Sequence, residues 1–256
     1  MLQYTENNTG EIEFDNVIVK YINCRYFNEF TCENISLINS GKRVIYAYDF
    51  EINDEQKFPI LKSIIKHALN LTETRIYARK CMLKEITNKE AKPFLNENSI
   101  FGHRNAKITL GLFYNGELMM VYSFGHNFYG RKNNIEVIRV CTKKDTVVIG
   151  GSSKCLKYFL DNYSYLLDNA DLIFYVDRIH QDGSSLKEFE FIHHEYGIMN
   201  YWLKTYTDNN ISGVSGTAFN RTPSKHKQIK KLIKQNIIVP IKTMGVDTWK
   251  FKKPEK

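Results

Sequence analysis

Hydrophobic positions along the chain follow two spacings, and each predicts a different element. Short runs rich in β-branched and aromatic residues predict strands at 17–22, 43–48, 75–79, 108–114, 117–124, 135–140, 147–149, 172–176, 201–205 and 246–251. Apolar residues recurring every three or four positions predict helices at 54–70, 88–96, from 151 onward, 184–189 and 224–235. The Asn115-Gly116 dipeptide between two apolar runs predicts a hairpin. Together they predict an α/β fold with a mixed sheet and flanking helices.

The stretch around Gly150 and Gly151 is the most informative. An apolar run stops at these two glycines, and an amphipathic run follows, which predicts strand, glycine turn and helix. A helix amino-terminus offers unbonded N–H groups and the positive end of a dipole, and both suit a phosphate. Ser152 and Ser153 are candidate caps, and Lys154 adds a positive charge. A tight connection without a ligand is the alternative, because short glycine motifs are common.

Charge is concentrated at one end of the chain. The net charge is +8, and residues 221–256 carry 11 Lys/Arg against two Asp/Glu. Such a tail predicts contact with a polyanion, with DNA favoured, whereas a solvated face is the alternative. The candidate nucleic-acid-binding residues are Arg221, Lys225, Lys227, Lys230, Lys231 and Lys234.

The compartment follows from absences in the sequence. No apolar run approaches the length of a membrane span, no secretory signal is visible, and the five cysteines form no CxxC pair. We therefore expect a cytoplasmic protein with no membrane partner and no zinc or disulfide framework.

Other chemistry-bearing residues are scattered. Arg139 lies on a predicted central strand, where an arginine needs a partner, and Glu136 or Asp177 could supply one. Its role is either catalytic or that of a structural ion pair. His193 and His194 are adjacent, so on an extended segment they point to opposite faces, and we expect no metal site there.

From residue 76 onward, a series of short motifs follows a recognisable order. They are Ile76–Cys81, Phe94-Leu95, Gly102-His103, Leu110–Tyr114, Ser123–Gly125, Glu136, Arg139, Gly150–Lys154, Phe159, Asp177-Arg178, Arg221 and Lys225–Lys227. This order resembles the C-terminal domain of phage-encoded Hef-like homing endonuclease proteins. That domain looks like a GNAT (acyltransferase) fold and is similar in layout to the phage DNA-modification protein Mom. The resemblance implies catalytic roles for Arg139 and Asp177, and a glycine turn that holds the pyrophosphate of acyl-CoA, although Gly150-Gly151-Ser152 lacks the usual Arg/Gln-x-x-Gly-x-Gly/Ala spacing.

Residues 1–75 resemble the end of a nuclease domain similar to very-short-patch repair endonucleases. In that pattern a metal-binding acid and a histidine are expected, but Lys20 and Phe27 stand at those positions. Such nucleases need carboxylates to hold Mg²⁺, so we expect cleavage to be lost. The remaining acids Asp15, Asp49 and Glu51 are expected to be surface charges rather than a rebuilt site. The predicted domains are thus a nuclease-like remnant (1–75), a GNAT-like domain (76–220) and a basic tail (221–256).

The GNAT-like domain also departs from the pattern that it resembles. The pattern has Gly, a Tyr three residues later, then Gly-Phe, where the Tyr would protonate the departing thiolate. This chain has Gly183, Leu186 and Glu190-Phe191. Two hypotheses follow. The first is a phage-type protein that binds nucleic acid or interferes with a DNA-acting host factor without chemistry of its own. The second is an active acyltransferase that modifies a nucleobase or a protein.

Overall fold

The fold is described from a computed structural model of the 256-residue chain. The description covers residues 3–4, 10–14, 16–22, 41–126, 134–195, 201–205, 211–215, 223–235, 238–241 and 245–253.

The described elements are numbered in chain order. The strands are β1 (Gln3–Tyr4), β2 (Gly10–Phe14), β3 (Val17–Ile22), β4 (Arg43–Tyr48), β5 (Thr74–Tyr77), β6 (Met82–Glu85), β7 (Ile108–Tyr114), β8 (Glu117–His126), β9 (Ile135–Thr142), β10 (Thr146–Ile149), β11 (Leu172–Asp177), β12 (Phe189–Glu195), β13 (Tyr201–Thr205), β14 (Ile211–Ser215), β15 (Ile238–Ile241) and β16 (Val246–Phe251). The α-helices are α1 (Asp49–Ile52), α2 (Lys57–Ala68), α3 (Asn88–Asn98), α4 (Gly151–Tyr163) and α5 (Pro223–Lys234). Short 3₁₀ segments lie at Ala78–Lys80 and Ser164–Leu167.

The chain divides into two compact units. Unit 1 comprises Met1–Leu61, Val176–Gly183 and His194–Asp247, and unit 2 comprises Lys62–Tyr175, Ser184–His193 and Thr248–Lys256. In unit 1, β1 to β4 form a sheet in sequence order, with β3 and β4 parallel, and β13 pairs antiparallel with β14 and β15. The domain boundaries placed at residues 75 and 220 stay predictions.

The largest sheet has seven strands in the order β12-β16-β11-β9-β8-β7-β6. Strands β6 to β9 pair antiparallel, whereas β11 runs parallel to β9 with Leu172 opposite Ile135. Parallel neighbours need a crossover, and α4 lies in the connection between β9 and β11. A mixed α/β sheet with flanking helices is therefore confirmed.

Helices pack on both faces of this sheet because successive residues of a strand point to opposite sides. On one face, Phe124 of β8 stacks on Phe159 of α4 with ring centroids 4.0 Å apart. On the other face, Val121 of β8 packs with Ala91 and Leu95 of α3. All five residues are buried, so their packing holds α3 and α4 against the sheet of unit 2.

Local signals explain several element ends. Asn115 and Gly116 have φ of 51° and 82°, the positive values that a tight hairpin turn requires, and they join β7 to β8 as predicted. Helix α3 begins at a capping box, in which Thr87 accepts from the Glu90 amide and the Glu90 carboxylate accepts from the Thr87 amide.

Other predictions were wrong. Residues 184–188 form turns rather than a helix, and β12 begins at Phe189. The strands β1, β2, β6, β12, β14 and β15 and the short helix α1 were missed. Residues 75–79 contain the end of β5 and the start of a 3₁₀ turn rather than one continuous strand.

Candidate functional site

The glycine turn joins β10 to α4, as predicted. Gly150 is the N-cap of α4 and adopts φ 76° and ψ 9°, the left-handed region that favours glycine. A Cβ at Gly150 would lie 3.9 Å from the Ala78 Cβ, an ordinary contact. The backbone conformation, rather than lack of space, therefore explains this glycine.

The second glycine has a different role. Gly151 is buried, and a Cβ there would lie 2.5 Å from Met120 Sδ and 3.1 Å from Val148 Cγ1. Its missing side chain lets the first turn of α4 approach β8 closely. Gly151 is thus needed for helix–sheet packing.

The amino-terminal end of α4 is open to solvent. The first intrahelical bond runs from the Lys154 amide to the Gly150 carbonyl at 3.0 Å. Within the described part of the chain, the amides of Gly151, Ser152 and Ser153 donate to no other group, and no side chain caps the helix. Gly150, Ser152 and Ser153 are exposed. The two serines occupy the first turn of the helix and do not cap it, contrary to the sequence-based expectation.

The Lys154 ammonium is engaged with backbone carbonyls. Its Nζ donates to the carbonyl oxygens of Ala78 at 3.0 Å and Cys81 at 2.6 Å. Ala78 begins the 3₁₀ segment that follows β5, and Cys81 comes directly after that segment. The ammonium thus ties α4 to that segment, and its assignment to phosphate binding stays a prediction.

Arg139 lies on β9, the central strand of the sheet, as predicted. Its guanidinium donates to the carbonyls of Gly102 at 2.9 Å, Ile138 at 2.8 Å and Phe101 at 3.3 Å. Glu136 is instead held by both terminal nitrogens of Arg104, at 2.7 and 2.9 Å. Arg139 therefore fastens the segment between α3 and β7 to the sheet. A catalytic role for Arg139 stays a prediction.

Asp177 ends β11. Its Oδ1 accepts a hydrogen bond from the Ile179 amide at 3.0 Å, which shapes the turn after the strand. The neighbouring Arg178 donates to the Asp182 carbonyl and pairs with Asp247 at 3.2 Å. The carboxylate of Asp177 is thus engaged with backbone, and its catalytic role stays a prediction.

The two adjacent histidines contact different groups. His194 Nδ1 lies 2.5 Å from Asp247 Oδ1, whereas His193 Nε2 lies 3.5 Å from Thr248 Oγ1. Among the residues that the structure describes, no group of three His, Cys, Asp or Glu side chains is placed to hold a metal ion.

Unit 1 contains a buried polar cluster that the sequence analysis missed. Glu51 is 0% exposed, Asp49 7% and His180 3%, so the expectation that Asp49 and Glu51 are surface charges was wrong. Glu51 Oε2 lies 3.3 Å from both the Tyr48 amide and His180 Nε2. Lys20 on β3 is buried as well. Asp15 and Phe27 lie outside the described residues.

Helix α5 carries the predicted basic stripe. Lys227, Lys230, Lys231 and Lys234 are all exposed, and Leu232 is half-buried. Lys225 is helical in its backbone, and Arg221 lies outside the described residues.

In the described ranges, no helix is long and apolar enough to cross a membrane.

The matches among known proteins are to solved structures of low sequence identity. No protein-family model and no curated protein matches the chain. Among solved structures, the chain is similar to an IAA acetyltransferase from Bacillus cereus, with 11% identity, 67% of this chain and 99% of that chain covered, and a TM-score of 0.36. It is also similar to an acetyltransferase from Bacillus subtilis, solved in complex with CoA. The identity is 11%, the match covers 68% of this chain and 99% of that chain, and the TM-score is 0.38. A third similar structure is an N-acetyltransferase from Staphylococcus aureus. The identity is 13%, the match covers 68% of this chain and 97% of that chain, and the TM-score is 0.38.

At these identities and TM-scores, the function of the chain has to be inferred from its own residues. The finer resemblance, to phage homing endonuclease proteins with a nuclease remnant, stays a prediction.

Proposed function

We propose that the chain is a GNAT-like acyltransferase that binds the pyrophosphate of an acyl-CoA at the amino-terminal end of α4. The observation that carries this proposal is the set of three adjacent amides, those of Gly151, Ser152 and Ser153, which donate to no group in the described structure. This function replaces binding without chemistry as the preferred hypothesis.

The donor set suits a pyrophosphate. Backbone amides at a helix amino-terminus converge on one point and add the positive end of the helix dipole, so they stabilise an anion without a charged side chain. The hydroxyls of Ser152 and Ser153 are exposed beside these amides and supply two further donors. Gly150 bears no side chain that would cover them.

Strand β9 supports the proposal because its pairing with β11 ends before the strand does. Register pairs between β9 and β11 end at Val137 and Phe174, although β9 continues to Thr142. Backbone groups on such an edge pair readily with an extended partner. The pantetheine arm of CoA carries two amide groups of the kind that such an edge binds. In open α/β sheets, ligands also bind beyond the carboxyl ends of parallel strands.

The proposed reaction moves an acyl group. A nucleophilic nitrogen of the acceptor attacks the thioester carbonyl, a new C–N bond forms, the C–S bond breaks, and the departing thiolate takes up the proton that the nitrogen loses. The contribution of the chain is to bind and orient the donor, which raises the effective concentration of the reacting groups. The acceptor is a nucleobase or a protein amine, as the sequence analysis expects.

A comparison of ligands tests this function. Calorimetry should show binding of CoA, and pantetheine, which has the same amides but no pyrophosphate, should bind at least about tenfold more weakly, the equivalent of about 1.4 kcal/mol. Acetyl-CoA should also release free thiol when an amine acceptor is added. Equal affinity for CoA and pantetheine would contradict a pyrophosphate site at the turn.

The proposed donor also agrees with a reducing compartment. Cys81, Cys141 and Cys155 are free and buried. We place the proposed reaction in the cytoplasm, that of a host cell if the chain is phage-encoded.

A DNA-associated protein with a non-cleaving nuclease-like segment over residues 1–75 is the second candidate. The observation that favours it is the state of the two acids after β4. Asp49 Oδ1 accepts from the Phe50 amide at 2.8 Å, and Glu51 is hydrogen-bonded to His180, while Lys20 supplies a cation where the nuclease pattern has an acid.

A further inference from the structure

The exposed face of α5 carries four cations in one stripe. Lys227, Lys230, Lys231 and Lys234 follow the spacing i, i+3, i+4 and i+7, so they are neighbours on one side of the helix. No Asp or Glu occurs between residues 223 and 235. In the described structure, no salt bridge joins any of these four lysines to a carboxylate of the chain.

Such a stripe is unfavourable for the isolated chain. Like charges three or four residues apart destabilise a helix by about 0.2–0.5 kcal/mol per pair. Lys231 and Lys234 lie in the last turn, where the helix dipole favours cations, but Lys227 and Lys230 lie before it. Because no acid on the helix offsets the repulsion, the stripe fits a polyanion outside the chain.

The position of the apolar residues favours nucleic acid over a lipid surface. Leu232 and Ile233 are half-buried and lie on the side of α5 opposite the lysines. A helix that lies in a membrane turns a broad apolar face outward. Here the fully exposed face is cationic. The four lysines span about 10 Å along the axis of α5, and each duplex strand has one phosphate per 3.4 Å of duplex axis, so a stripe aligned with that axis covers about three phosphates.

We infer that α5 binds the phosphate backbone of duplex nucleic acid, independently of the acyl-CoA site. Lysine acts as a point charge toward phosphate and has no planar fork for reading bases. Contacts of this kind position a protein on the duplex without reading its sequence. The surface thus gives affinity with little sequence preference.

The test is the salt dependence of binding to a fluorescent DNA duplex of about 20 base pairs, measured by anisotropy. Each neutralised phosphate adds about −0.9 to the slope of log K against log salt. Replacing Lys227, Lys230, Lys231 and Lys234 with Gln should make the slope shallower by about two to four. The matched control replaces four exposed lysines of unit 2 (Lys62, Lys80, Lys89 and Lys92) with Gln and loses the same net charge. Its slope should change by less than about one.

A variant with Arg at the four stripe positions should retain the wild-type slope, and circular dichroism should show that all variants keep their helix content. An unchanged slope in the stripe variant, or equal changes in stripe and control variants, would overturn the inference. The inference would also be overturned if the stripe variant lost binding to vesicles that contain anionic lipid but bound DNA like the wild type. That result would assign the stripe to a membrane surface.

Discussion

Glu51 and His180 are 129 positions apart in sequence, yet Glu51 Oε2 lies 3.3 Å from His180 Nε2 in the interior of unit 1. Arg43 joins the two segments further, since its guanidinium donates to the His180 carbonyl at 3.2 Å. The Tyr46 amide donates to the Ile179 carbonyl at 2.8 Å. Segment 176–183 is therefore fastened to β4 and α1 through both backbone and charge.

This pair predicts a pH-dependent stability. Burial alone would lower the pKa of His180, but the charge and hydrogen bond of Glu51, together with Asp177, outweigh it and raise that pKa above 6.5. A raised folded-state pKa stabilises the fold fully below the unfolded value of about 6.5, and this contribution is lost as the pH rises through the folded-state pKa. The free energy of unfolding that His180→Gln removes should be larger at pH 5.5 than at pH 8.5 in urea titrations.

His126→Gln, at an exposed histidine, provides the control for the substitution itself. A cost of His180→Gln that stays constant or grows toward pH 8.5 would show that His180 is neutral in the folded protein.

The close approach of α4 to β8 predicts coupling between Gly151 and Met120. Gly151→Ala puts a Cβ 2.5 Å from Met120 Sδ, and overpacking of this kind costs about 1–3 kcal/mol. In a Met120→Ala background the same change should cost at least about 1 kcal/mol less, because the clash with Met120 Sδ is gone. Chemical unfolding of the four proteins measures this coupling. Strictly additive costs would mean that the first turn of α4 does not touch Met120.

The contacts of Arg139 predict a structural loss when it is replaced. Arg139→Lys keeps the charge but cannot reach three carbonyls at once, so it should destabilise the protein by about 2–4 kcal/mol. Hydrogen exchange should also become faster at amides 101–104. Arg79→Lys is the control, because Arg79 is exposed and lies over the Tyr77 ring. Unchanged stability and exchange in Arg139→Lys, with acyl transfer lost, would assign Arg139 to catalysis alone.

The buried acids of unit 1 predict that DNA is not cut. Asp49 accepts a hydrogen bond from a backbone amide, and Glu51 is hydrogen-bonded to a backbone amide and to His180. Lys20 on β3 stands where the nuclease pattern has an acid. Supercoiled plasmid should therefore stay intact with Mg²⁺ or Mn²⁺. Metal-dependent cleavage that disappears in Asp49→Ala would contradict this prediction and show that Asp49 belongs to a nuclease site.

Features that depend on neighbouring residues were predictable from the sequence. The hairpin at Asn115-Gly116 follows from backbone preferences, and the turn at Gly150 follows from the end of an apolar run. The Glu51–His180 pair was not predictable, because only the tertiary fold brings β4 and segment 176–183 together. Residues 184–189 were expected to be helical from their spacing. In the fold, Phe189 instead begins β12 and packs against Phe251, with ring centroids 5.8 Å apart, and this contact depends on tertiary structure. Likewise, nothing in the sequence indicated that the Lys154 ammonium would donate hydrogen bonds to the carbonyls of Ala78 and Cys81.

The most direct test of the proposed acyl-CoA site removes one amide at the start of α4. Proline is tolerated in the first turn of a helix, and Gly151 before it lacks the Cβ that would clash. Ser152→Pro therefore deletes one N–H, whereas the control Ser152→Ala removes only the hydroxyl. Calorimetry should give a CoA dissociation constant about 10- to 100-fold higher for Ser152→Pro than for Ser152→Ala, as expected for the loss of one hydrogen bond to a charged group. Equal CoA affinity in the two variants would contradict the site.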